Sequence, residues 1–90
     1  MISAEVIKGT QELLEKSGAK KDTNENFGDF VARRLGISAR QAEVLLESLH
    51  DGHTVEESIE RAGISPAASD NELLIQVAQF IGTTVGRLAK

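Results

Sequence analysis

Cysteine is absent from the 90 residues, which excludes a disulfide framework, thiolate ligation of zinc and cysteine-based chemistry. Aromatic residues are scarce. Phe27, Phe30 and Phe80 supply the whole 3 %, so Leu, Ile, Val and Ala must fill the interior. No apolar run approaches the roughly 18 residues needed to cross a bilayer, and no membrane partner is expected. The start, Met1-Ile2-Ser3-Ala4-Glu5, has no basic stretch leading into an apolar one. Nothing there marks export, and the cytoplasm is the expected compartment. A basic surplus is missing too: ten Lys and Arg stand against fourteen Asp and Glu, a net charge of -4. That balance favours solubility and weakens non-specific attraction to phosphate backbones. Any nucleic-acid contact must come from a local basic face.

What the chain does contain is helical punctuation around apolar stripes. A length of 90 residues with 40 % hydrophobic content suits one domain with a modest core. Ser3 caps a first helix to about Ser17, with Ile2, Val6, Leu13 and Leu14 on its apolar face and Thr10 between them. Gly9 is a mild weakness inside it, and Gly18 ends it. Residues 19–26 form the longest polar stretch and read as a flexible connection. Either Asp22 with Glu25 or Asn26 with Asp29 caps the second helix, which turns Phe27, Phe30, Val31 and Leu35 inward.

Ser38 and Gln41 have capping-box spacing and open a third helix through about His50, with Ala42, Leu45, Leu46 and Leu49 as its stripe. Thr54 and Glu57 repeat that spacing. They open a short fourth helix with Val55, Ile59 and Ala62 facing the core. A fifth helix begins at Ser65-Pro66 or at Ser69 with Glu72, and buries Leu73, Leu74, Val77, Ala78 and Ile81 before Gly82 closes it. No segment alternates like a strand. The expected fold is all-α: a single domain over 1–90, built as a small orthogonal bundle of about five helices. The first and fifth helices carry broad apolar faces for so small an interior, so a homodimer is expected.

The stretch Phe30-Val31-Ala32-Arg33-Arg34-Leu35-Gly36-Ile37-Ser38-Ala39-Arg40-Gln41-Ala42-Glu43-Val44-Leu45-Leu46 organises the chain. It resembles the helix-turn-helix of bacterial transcriptional regulators over about a fifth of the length. Ala32 stands where that family has a small residue that lets the second helix cross closely. Gly36 stands at the turn, and Ala42 and Leu45 at the apolar positions that pin the second helix. Ala42 departs from the branched residue commoner there. The resemblance implies a DNA-binding regulator, with Ser38, Ala39, Arg40 and Glu43 at the start of a recognition helix. A second frame, running from Ile37 to Pro66, looks like the four-helix reading domains of response regulators and sigma factors. There the helix after Ile64 would be the reader, and it carries Asp70 and Glu72 with no Lys or Arg before Arg87.

Arg33, Arg34 and Arg40, with Ser38, are the candidate nucleic-acid contacts, because arginine forks onto phosphate or guanine. The plainer reading of the same residues is a solvated mixed-charge face, since Glu43 and Glu47 follow within two turns. Glu56, Glu57 and Glu60, near Asp51, make the densest acidic patch and the candidate surface for a basic protein partner. Early-helix glutamates also have a dipole reason to exist. His50 and His53 straddle a helix stop and lack the spacing of a metal site. Ser38, Thr54 and Ser65 read as caps, not nucleophiles, and no glycine-rich phosphate cradle exists. No catalytic residues, cofactor or metal are expected. Two readings remain: a DNA-binding regulator, and a helical protein-interaction module.

Overall fold

Four of the expected caps decide where the chain turns helical. The computed structural model describes residues 3–18, 20–65 and 71–88. It contains α1 (Ala4–Lys16), α2 (Phe27–Leu35), α3 (Ala39–His50), α4 (Val55–Ala62) and α5 (Asn71–Leu88), and no strand among the described residues. The Ser3 hydroxyl accepts from the Val6 N–H at 3.3 Å. Asn26 Oδ1 accepts from the Asp29 N–H at 2.8 Å, which makes Asn26 the cap of α2. The rival pair, Asp22 and Glu25, closes its own turn instead, the Asp22 N–H donating to Glu25 Oε1 at 3.2 Å. Both capping boxes form, Ser38 with Gln41 and Thr54 with Glu57. Each supplies acceptors to backbone N–H groups that the first helical turn leaves unpaired.

Between α2 and α3 the chain reverses at Gly36, whose φ of 70° and ψ of 31° are left-handed. The Ile37 N–H reaches back to the Ala32 carbonyl at 3.0 Å and satisfies the end of α2. Glycine takes this conformation without the Cβ penalty of other residues.

The core gathers on α3, which packs against α2, α4 and α5, while α1 lies against α5 and α2. Phe30, Val31 and Leu35 meet Ala42, Leu45 and Leu49 there, with Val6 and Leu14 from α1 and Leu74, Val77, Ala78 and Ile81 from α5. The inner faces of α1 and α5 are thus turned into the bundle. Among the described residues Leu88 alone is a large hydrophobic counted as exposed.

The fourth helix buries Ala62, and Val55 and Ile59 pack half-buried against the core as expected, with Ser58 buried beside them. Small residues face α3 here, where Ser48 is also buried. Arg61 Nε reaches over to the Ser48 hydroxyl at 3.2 Å. The fifth helix does not close at Gly82 but runs on to Leu88. Thr84 is buried and Val85 packs on the core, and that burial offsets the roughly 1 kcal/mol that glycine costs inside a helix. Both proposed starts of the fifth helix fall at least partly on residues 66–70, outside the described residues. Leu73 is only half-buried.

Candidate interaction surface

The three arginines singled out in the sequence sit in different settings. Arg33 and Arg34 end α2, and both turn back on the chain. Arg33 Nε meets Glu25 Oε2 at 2.9 Å, and its Nη2 donates to Glu25 Oε1 at 3.0 Å and to the Lys20 carbonyl at 2.9 Å. The guanidinium also lies 5.6 Å from the centroid of the Phe30 ring, within cation–π range. The Arg33 hydrogen bond holds the Glu25 carboxyl below its usual range. Arg34 donates to the Ser17 hydroxyl at 3.1 Å and to the Ser17 carbonyl at 3.2 Å. Together they tie the end of α2 to the end of α1 and the polar stretch between. Arg40 is exposed in the first turn of α3. The Ser38 hydroxyl is taken by the Gln41 N–H.

The α4 glutamates also separate. Glu57 accepts the Thr54 N–H at 3.1 Å, and that backbone bond, ahead of the one to the Thr54 hydroxyl, lowers its pKa. Its carboxylate therefore serves the cap. Glu56 and Glu60 stand exposed beside it.

A concavity lies elsewhere, between the first turn of α2 and the outer face of α3. It is a groove of about 540 Å³. Four carboxylates line it: Asp29 from α2, Glu43 and Glu47 from α3, and Asp51 at the α3 C-cap. Phe27, Ala39 and Leu46 supply its apolar lining, and Asn26, Gly28 and His50 complete it, with no Lys or Arg. Phe27 is half-buried and Leu46 is almost wholly covered. At the His50 end, the ring Nδ1 is buried and meets no hydrogen-bond partner. Three of the four acids recur at positions 43, 47 and 51, a four-residue step that keeps them on one helix face. That step was visible in the sequence. The approach of Asp29 and Phe27 to it depends on how α2 packs on α3.

No described group of three His, Asp or Glu side chains is arranged to hold a metal. No described helix is long and apolar enough to cross a membrane. The chain matches no protein-family model, no curated protein and no solved structure.

Proposed function

We propose that this chain is a non-enzymatic, cytoplasmic helical interaction module that docks a cationic protein segment in the groove between α2 and α3. The observation that carries this reading is the lining itself: four carboxylates around Phe27, Ala39 and Leu46, without a lysine or arginine. An apolar patch rimmed by charge of one sign supplies burial for affinity and a field for choice of partner. The same field repels phosphates, and it occupies the face of α3 that a recognition helix would present. Of the acidic surfaces, the groove fits a basic partner better than α4 does, because Glu57 is committed to its cap.

A second reading is a helix-turn-helix DNA-binding regulator, favoured by the left-handed turn at Gly36, the Ser38–Gln41 box and the exposed Arg40 beyond it. In it a homodimer doubles the footprint, Arg33 and Arg34 brace the backbone, and Ser38 and Arg40 open the reader. The intrachain bonds of Arg33 and Arg34 weigh against that use.

Backbone amide shifts of the labelled protein, titrated with a lysine-rich peptide and separately with a random DNA duplex at about 50 mM salt, distinguish the two. We expect the peptide to move resonances of Asp29, Glu43 and Glu47 and the duplex to move none. Duplex binding that weakens at about 200 mM salt and changes sequence preference in Arg40→Ala would establish the second reading instead.

A further inference from the structure

We propose that the segment docked in this groove is a cationic amphipathic helix of about three turns, lying along α3. The inference rests on the protein-interaction reading and adds the shape of the partner.

One wall of the groove is a single stripe of α3 and its C-cap, in which Ala39, Glu43, Glu47 and Asp51 follow at four-residue steps. At 1.5 Å per residue the stripe is about 18 Å long and its successive carboxylates are about 6 Å apart along the axis. A second helix bearing Lys or Arg at i, i+4 and i+8 sets its charges at the same pitch. Beside the carboxylate row, the half-buried Phe27 offers apolar contact at the point where Gly28 leaves space. A Cβ built on Gly28 meets only Asn26 Oδ1, at 3.6 Å, so the space belongs to the groove and not to the fold.

The groove is walled by helices, so it presents no strand edge. An extended segment laid there finds no ladder for its own N–H and C=O groups, whereas a helix satisfies them internally. Arg40 lies one turn before Glu43 on α3. It repels a cation at that end, so the partner's basic row begins opposite Glu43 and runs toward Asp51.

The test uses three peptides of about 14 residues and one composition. The first places Lys at i, i+4 and i+8 beside a Leu stripe, the second scrambles that order, and the third breaks the helix with central prolines replacing terminal ones. Anisotropy titrations should show the first binding at least about tenfold more tightly than the others. Gly28→Trp, which fills the groove, should weaken it by about tenfold, while Gly28→Ala should not. If Gly28→Trp fails to melt cooperatively, the exposed pair Glu43→Lys with Glu47→Lys replaces it, with the same loss expected. Equal binding of all three peptides, lost on charge reversal, would overturn the helical partner and leave the cationic-segment reading standing. Failure of all three to bind would overturn both. Tight binding of the first that neither Gly28→Trp nor charge reversal weakens would overturn the placement in the groove.

Discussion

The Gln41 side chain closes two helices at once: its Oε1 accepts the Ser38 N–H at 3.0 Å, and its Nε2 donates to the Gly63 carbonyl at 3.1 Å. The first bond completes the capping box of α3. The second satisfies a carbonyl at the end of α4, 22 residues away. A local motif has thereby become a tertiary link between the two ends of the α3–α4 pair.

Substitutions at Gln41 should resolve the two bonds. Gln41→Glu keeps the acceptor for Ser38 but faces the Gly63 carbonyl with an oxygen. Gln41→Ala loses both. We expect losses of about 1 kcal/mol for Glu and about 2 kcal/mol for Ala in urea unfolding. A Glu variant as stable as the parent would show that the Gly63 bond contributes nothing.

Gly36 and Gly18 both have positive φ, 70° and 103°, yet their surroundings differ. Gly36 is held between α2 and α3 by the bond from the Ile37 N–H to the Ala32 carbonyl. After Gly18 the next helix begins only at Phe27, which leaves the backbone room to adjust to a branched residue, whereas α3 opens at Ala39, three residues after Gly36. Gly36→Val is expected to cost about 2 kcal/mol or more and Gly18→Val about half that. Thermal melts of the two variants decide it, and equal losses would remove the organising role of Gly36.

Gly9 proves to be a close-approach site. A Cβ there would lie 2.1 Å from Phe80 Cζ and 2.7 Å from Cε2, so the ring of α5 packs directly on the α1 backbone. Alanine ordinarily stabilises a helix over glycine by about 0.5–1 kcal/mol. Here displacement of the ring should outweigh that gain, for a net loss of about 1–2 kcal/mol. Shortening the ring in a Phe80→Leu background should make Gly9→Ala neutral or favourable, and a loss unchanged in that background would rule out the ring as its cause.

These cases separate what is legible in the chain from what is not. Ser3, Ser38 with Gln41, and Thr54 with Glu57 act on N–H groups three positions away, so spacing alone reveals them. Gly9 and Gly82 break a helix by propensity, but their roles depend on Phe80 and on the burial of Thr84, which come from another helix or from beyond the break. The same holds at the surface. Arg33 and Arg34 look free in the sequence because Glu25 and Ser17 lie 8 and 17 residues before them. The acidic row at 43, 47 and 51 is periodic and readable, whereas its junction with Asp29 and Phe27 exists only once α2 crosses α3.

The Glu25–Arg33 pair makes the last prediction, and it concerns acid. The Glu25 carboxyl sits below its ordinary value, first because of the Arg33 hydrogen bond. A carboxyl whose pKa falls on folding binds its proton more readily when unfolded, so its contribution is complete above the unfolded value of about 4.3. It is lost as pH falls through the folded value. Glu57 behaves likewise, with its Thr54 bond as the main cause. Melting temperature should therefore fall between about pH 5 and pH 3, and Glu25→Gln should flatten part of that decline. Glu57→Gln should flatten another part while keeping the cap, since glutamine also closes a capping box. Arg33→Ala combined with Glu25→Gln should add little further loss of acid dependence, because the residues act as one pair. Identical acid profiles for the parent and Glu25→Gln would mean that the fork on Arg33 is not held in solution, and Arg33 would then be available to an outside anion.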